Sequence, residues 1–184
     1  MRIGGKKIEK VRVYGDTFLA KKAEAVKTVD DKTLKFAEVL TDTMIEFDGV
    51  GLAATQVGVG LRIIALGVPL PKDENGNLKI SSPGEAILLN RMPLVLVNPE
   101  IISFGPDSSV RDEGCLSVPE IYAPVIRPST LVFQAQILGA EATPDNVRLG
   151  PFPRLDIVRR TLPIPESCRD KIGQYNNCIS SSFR

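Results

Sequence analysis

The clearest pattern of apolar and polar positions lies between residues 30 and 49. Apolar side chains recur there at spacings of three and four residues, at Leu34, Ala37, Leu40, Met44 and Phe47. This spacing predicts an amphipathic helix with one buried face. Asp30 or Asp31 can cap its first turn, because a side-chain oxygen there accepts from exposed backbone N–H groups. Asp48 and Gly49 are expected to end it.

Short apolar stretches predict strands in the rest of the body. They are Leu61–Val68, Leu94–Val97, Ile101–Phe104 and Thr130–Leu138, the third of which we expect to pair beside the second. Residues 11–26 are expected to form an extended lead-in with a turn at residues 14–16, and residues 69–84 a polar loop or hairpin tip. The pattern predicts an α+β fold with short antiparallel strands and one early helix.

The composition is that of a globular domain. Of 184 residues 43% are apolar and 24% charged, and the formal net charge is +1, so no basic excess indicates DNA or membrane-surface binding. No apolar run approaches the ~18 residues of a membrane span, and the first ten residues lack the apolar segment of a secretory signal. We therefore expect a soluble protein of the cytoplasm, with no DNA and no membrane among its partners.

Cysteine and histidine counts restrict the chemistry. The sequence has three cysteines, Cys115, Cys168 and Cys178. A small, odd number is a poor basis for a disulfide framework and is typical of a protein in a reducing compartment. The sequence contains no histidine, although histidine is the commonest metal ligand and a frequent general base.

The character of the chain changes near residue 139. Residues 1–138 contain 10 Lys and 6 Arg, whereas residues 139–184 contain 1 Lys and 6 Arg. The second segment also has five prolines, which interrupt helices because each removes a backbone donor and clashes with the preceding turn. We predict a domain over residues 1–138 followed by a divergent tail over residues 139–184 that is disordered or derives from an altered reading frame.

Residues 49–56 have the form G-x-G-x-A-A-x-Q. Small residues let a backbone approach a ligand closely, and the amide of Gln56 offers both donors and an acceptor. A tight turn leading into a buried strand is the simpler interpretation. A dinucleotide site is disfavoured, because its glycine motif follows a strand and opens a helix, whereas Gly49 follows the predicted helix and precedes a strand.

A second segment, Glu113-Gly-Cys-Leu-Ser117, contains a cysteine. The thiolate of Cys115 could bind a metal or act as a nucleophile. A lone cysteine is more often a small buried apolar residue. This segment alone does not choose between these interpretations.

Taken together, the two segments resemble the first two signature motifs of the peptide deformylase family. E-G-C-L-S follows G-x-G-x-A-A-x-Q by about sixty residues. The flanks are similar too, in the lead around Tyr14-Gly-Asp16, in Val97-Asn-Pro-Glu100, and in the run from Ser117 to Pro124 with Arg127-Pro128. The resemblance covers residues ~11–138 and implies antiparallel sheets around a helix that bears a third motif.

The resemblance also implies roles for individual residues. Cys115 matches a cysteine that holds Fe²⁺, or Zn²⁺ or Ni²⁺, together with two histidines. Gln56 and the backbone N–H of Leu116 match the donors that stabilise the oxyanion on the formyl oxygen. The backbone around Val50, Gly51 and Gly114 matches the part that cradles the formyl-methionyl peptide.

The third motif of the family, His-Glu-x-x-His, has no counterpart. On a helix this spacing puts both imidazoles on one face, with the Glu between them as general base. The motif helix is therefore expected to be missing or remodelled. Three explanations stay open: an altered reading frame or gene end, favoured by the change in Lys and Arg usage; a paralogue that lost the metal; or a substitute site of Cys168 or Cys178 with Glu166 or Asp170.

The family reaction is metal-dependent hydrolytic removal of the formyl group from the initiator methionine of nascent proteins. We expect this chain to be inactive, and not to retain the metal, because its recognisable ligand is Cys115 alone. The alternative is a non-catalytic protein that binds formyl-methionyl peptides or the ribosome.

Overall fold

The computed structural model describes residues 2–3, 6–69, 72–78, 80, 83–89 and 91–138. Its helices are α1 (Asp31–Glu46) and α2 (Pro83–Leu89), with 3-10 turns at Thr17–Ala20 and Ala54–Val57. Its strands are β1 (Arg2–Ile3), β2 (Lys6–Lys7), β3 (Gly51–Ala53), β4 (Ile63–Leu66), β5 (Leu94–Phe104), β6 (Ser108–Cys115), β7 (Val118–Pro128) and β8 (Leu131–Leu138). The predicted tail, and the region in which the helix of the third motif is expected, lie outside the described residues.

Helix α1 confirms the prediction from apolar spacing. Asp30 is its N-cap, and the Asp30 carboxylate accepts from the Thr33 backbone N–H at 2.9 Å. This hydrogen bond, followed by one from the Thr33 hydroxyl, lowers the pKa of Asp30 from its usual value. Leu40 and Met44 are fully buried, but Phe47 is 45% exposed because it is the C-cap, where the chain leaves the helical face.

The central sheet has the strand order β3-β4-β5-β8, and every neighbouring pair is antiparallel. Alternate residues of a strand point to opposite faces. In β4, Ile63 and Ala65 join the cluster that includes the buried face of α1, while Ile64 and Leu66 join a cluster that includes Leu88 of α2. The short buried strand is therefore covered on both faces, as its continuous apolar sequence predicts.

Strands β6 and β7 form a separate antiparallel hairpin. Its ladder is regular from Ser108↔Pro128 to Gly114↔Tyr122 and then shifts, so that Cys115 lies opposite Val118. Glu120, in the residues that bulge from β7, has a φ of +62°. The irregularity places Cys115 at the last position of β6 and Leu116 and Ser117 in the turn that follows.

The α+β class with antiparallel sheets is confirmed, but one strand prediction is wrong. Ile101–Phe104 does not pair beside Leu94–Val97, because both stretches belong to the single strand β5. Register irregularities in the pairing with β8 and a φ of +51° at Asn98 bend this strand without ending it. In the described part of the chain, no helix has the length and apolar character needed to span a membrane.

We predict that Leu40→Ala destabilises the protein much more than Ile45→Ala does. Leu40 is completely buried, whereas Ile45, in the same helix, is 51% exposed. Truncating a buried leucine removes apolar contacts and leaves a cavity, at a cost of about 2–5 kcal/mol. Urea unfolding of both variants measures the difference, and equal losses would contradict the assigned core.

Candidate functional site

The side-chain amide of Gln56 joins the two motif segments. Its Oε1 accepts from the Ala53 backbone N–H at 2.8 Å. Its Nε2 donates to Ser117 Oγ at 3.0 Å and lies 3.5 Å from Cys115 Sγ. Because the carbonyl end is fixed within the first segment, the NH₂ end must face the second. Ser117 is buried, while Gln56 and Cys115 are half-buried.

The extended lead-in segment holds the backbones of both motif segments. The Arg12 N–H donates to the Gln56 carbonyl at 2.7 Å, and the Tyr14 N–H donates to the Ser117 carbonyl at 2.7 Å. These contacts span long stretches of sequence, and each pairs a backbone group that would be costly to leave unpaired inside the protein. Residues 12–14 therefore act as a brace across the site.

The side chain of Arg12 strengthens this brace. Its guanidinium pairs with Asp16 at 2.6 Å and lies 4.8 Å from the centre of the Phe18 ring. The Phe18 backbone N–H first, and then Arg12, lower the pKa of Asp16. Gly58 adopts a φ of +85°, and a Cβ there would approach the Arg12 Nε to 2.5 Å, so the glycine makes room for the guanidinium.

A glycine also brings Leu116 against the first segment. A Cβ on Gly49 would lie 2.7 Å from Leu116 Cδ1, closer than packed carbon atoms approach. The absence of a side chain at Gly49 thus lets Leu116 pack against the chain just after α1. Leu116 is half-buried against the cluster that contains Leu40 and Met44.

The structure places the predicted site residues at three locations in the fold. Gln56, Cys115 and Leu116 come together through the contacts above. Gly114 is buried in β6 opposite Tyr122. Val50 and Gly51 lie at the start of β3, where the Gly67 N–H donates to the Val50 carbonyl and Gly51 pairs with Leu66. These two contacts of Val50 and Gly51 are with β4 and the residue after it. The role of Val50 and Gly51 toward a peptide stays a prediction.

Sequence reasoning assigned no role to Ser117, Glu113 or Arg127. Glu113 is 1% exposed, and its two carboxylate oxygens accept from Arg127 Nε at 2.9 Å and Arg127 Nη2 at 2.8 Å. A charge so deeply buried is stable only when paired and hydrogen-bonded. The signal available in the sequence was their position within the motif segment and its flank.

The residues that the structure describes do not by themselves fit the metal that the family resemblance implies. Among the described residues, no group of three or more His, Cys, Asp or Glu is arranged to hold an ion. Cys115 is the sole cysteine in that part of the chain, and the carboxylate nearest to it in sequence, Glu113, is engaged by Arg127. The sequence contains no histidine, and within the described residues the donor set falls short of the three protein ligands of a catalytic zinc-type site.

The arrangement can bind a small carbonyl group. One N–H of the Gln56 NH₂ donates to Ser117 Oγ at 3.0 Å, so the other, which faces Cys115 Sγ at 3.5 Å, is the one from which a carbonyl oxygen could accept. Neutral donors of this kind stabilise negative charge on a carbonyl oxygen. Neither the Gln56 amide nor the Ser117 hydroxyl has a pKa suited to removing a proton from water near neutral pH.

We predict that Gln56→Glu slows alkylation of Cys115 by iodoacetamide about tenfold at pH 7.5, because a carboxylate disfavours the reactive thiolate. The glutamate keeps the acceptor for the Ala53 N–H but replaces the NH₂ donor with an anionic oxygen. Peptide mapping by mass spectrometry measures the rate at Cys115 alone. Gln134→Glu, an identical change on the exposed face of β8, is the control, and equal rates in both variants would contradict the observed contact.

Comparisons with known proteins show which family the chain resembles. The family model described as polypeptide deformylase matches residues 8–142. The peptide deformylase of Thermotoga maritima is 35% identical over 127 residues, which span 69% of this chain and 65% of that protein. The peptide deformylase of Thermotoga neapolitana is 33% identical over 132 residues, covering 72% of this chain and 68% of that protein.

Solved structures give the same result. The crystal structure of peptide deformylase from Ehrlichia chaffeensis matches with a TM-score of 0.59 and 29% identity, over 71% of this chain and 69% of that one. The matched region thus spans about two thirds of the length of these relatives. The family match over most of the chain and the assembled Gln56–Cys115 corner lead to one conclusion: the chain belongs to the polypeptide deformylase family.

Proposed function

We propose that this 184-residue chain binds formyl-methionyl peptide ends at the corner formed by Gln56, Cys115 and Leu116 and does not hydrolyse them. The observation that supports this most is the Gln56 amide, whose Nε2 lies 3.5 Å from Cys115 Sγ and 3.0 Å from Ser117 Oγ. The two motif segments are therefore assembled around a hydrogen-bond donor. The sequence nevertheless lacks histidine.

Binding follows from the donors of this corner. The formyl oxygen accepts from Gln56 Nε2 and from the backbone N–H of Leu116, the pair that the family resemblance implies. The peptide backbone lies along Val50 and Gly51 on one side and Gly114 on the other. An unformylated methionine presents a charged ammonium group instead, which these donors repel and which is costly to desolvate.

Hydrolysis requires more than these donors. In the family, Fe²⁺, Zn²⁺ or Ni²⁺ supplies a bound water of lowered pKa, for which the ion must be fixed by protein ligands. Cys115 provides one such ligand, and Gln56 can only orient the carbonyl. The family reaction, removal of the formyl group from nascent proteins, is therefore proposed to be lost in this chain, and the ribosome as a partner stays a prediction.

The first test is hydrolysis in the presence of metal. The purified full chain, incubated anaerobically with Fe²⁺, and separately with Ni²⁺ or Zn²⁺, should release formate from formyl-Met-Ala no faster than a buffer blank does. After desalting, elemental analysis should find far less than one ion per chain. Near-stoichiometric metal together with formate release that Cys115→Ser abolishes would overturn the proposed loss of activity.

The second test is binding without turnover. Isothermal titration should detect formyl-Met-Ala, with Met-Ala binding at least about tenfold more weakly, since a single lost hydrogen bond costs ~1 kcal/mol and the ammonium adds a desolvation cost. Gln56→Ala should weaken the formylated peptide to a similar degree, whereas Gln134→Ala on exposed β8 should not. Equal affinity for both peptides, or no binding of either, would refute the proposed recognition.

A further inference from the structure

The ion pair between Glu113 and Arg127 lies in a largely buried position, where two packed apolar side chains would stabilise the protein equally well. The Glu113 side chain is 1% exposed, and the Arg127 side chain is 24% exposed. Burying two charges costs desolvation energy that their attraction often only offsets, so well-packed apolar residues are frequently as stable. A bidentate pair also fixes the relative orientation of the two side chains, because two parallel hydrogen bonds hold the carboxylate plane against the guanidinium plane.

The position of the pair in the hairpin shows what it can orient. Glu113 lies opposite Ala123, and Arg127 lies opposite Ser109. The Arg127 and Glu113 side chains therefore reach toward each other along the hairpin, across three intervening rungs. The pair connects the open end of the hairpin to the Glu113–Ala123 rung, which is the second rung before the register shift between Gly114 and Cys115.

Beyond that shift the regular ladder no longer fixes the chain. Cys115 pairs with Val118 while Gly114 pairs with Tyr122, so the intervening residues of β7 bulge out, with Glu120 at a φ of +62°. Bulges of this kind commonly re-aim a side chain next to a functional site. The Glu113–Arg127 contact begins one rung before Gly114, so it can hold this end of the hairpin in place together with the Tyr14 N–H that donates to the Ser117 carbonyl.

We infer that Glu113 and Arg127 are positioning residues that hold Cys115, and the turn that follows it, at their distance from the Gln56 amide. This inference rests on the proposed binding of formylated peptides for its consequence, but its geometry is independent of that proposal. Neither side chain touches the peptide. The pair acts through the backbone of Gly114 on the donors and the thiol of the corner.

The test uses a double variant that removes the charges together. Glu113→Met with Arg127→Met replaces the pair by apolar groups of similar size, so that neither an uncompensated charge nor an unpaired amide is left buried. We expect the double variant to stay folded, with a urea midpoint close to that of the unmodified chain. We also expect alkylation of Cys115 at pH 7.5 to accelerate about tenfold and the Kd for formyl-Met-Ala to rise about tenfold, as a loosened turn loses its preorganisation.

Three further variants separate positioning from stability. Arg127→Lys keeps the positive charge but cannot make the two parallel hydrogen bonds of the guanidinium. It should therefore show the faster alkylation and the higher Kd to a smaller degree. Arg111→Met, in an exposed part of the same strand β6, should leave both readouts unchanged. Phe133→Leu, in the buried cluster on the α2 side of the sheet, should lower the urea midpoint without changing the alkylation rate of Cys115.

The outcomes distinguish this inference from the proposed function. The positioning role is overturned if the double variant folds and its Cys115 is alkylated at the same rate as in the unmodified chain. It is also overturned if Phe133→Leu accelerates alkylation as much as the double variant does. If the double variant fails to fold, Arg127→Lys decides by the same readout. If the unmodified chain binds no formylated peptide, the proposed function fails, and the alkylation rates alone still decide the inference.

Discussion

The corner between the two motif segments depends on one side-chain amide that is held at both ends. Gln56 accepts from the Ala53 N–H and donates toward Ser117 and Cys115, so its orientation is determined and cannot be reversed without loss of both contacts. Inside a protein an unpaired polar group is costly. The β6–β7 hairpin must therefore end where it does, and the lead-in segment, through Arg12 and Tyr14, fixes the two backbones on either side.

The proposed binding without hydrolysis depends on this constraint. Carbonyl recognition needs neutral donors in a fixed place, which Gln56 and the turn at Leu116 provide through local packing against Gly49. Hydrolysis needs an activated water, which one thiol at Cys115 does not supply. The two requirements lie on separate parts of the family sequence, so one can be present in this chain without the other.

The sequence predicts those parts of the fold that depend on local pattern. The spacing of Leu40 and Met44 identifies α1, and the apolar run containing Ile63 identifies β4. The β6–β7 hairpin was not predicted, because its exposed face contains Val110 and Ile126, which are 62% and 70% exposed, while the charged Glu113 points inward. This reversal of the usual alternation follows from the pairing of Glu113 with a residue of the other strand, which no local pattern reveals.

The candidate site was predictable only as far as the family motifs extend. Gln56 and Cys115 could be named from the motifs, and the structure brings them together. The contribution of Ser117 and the brace of residues 12–14 depend on contacts between distant segments, so spacing alone could not indicate them. The most direct test follows the Gln56 side-chain NH₂ in ¹H–¹⁵N spectra, assigned by its loss in Gln56→Ala. Our account predicts that this signal shifts with formyl-Met-Ala and not with Met-Ala; an unchanged signal at saturating formylated peptide would contradict it.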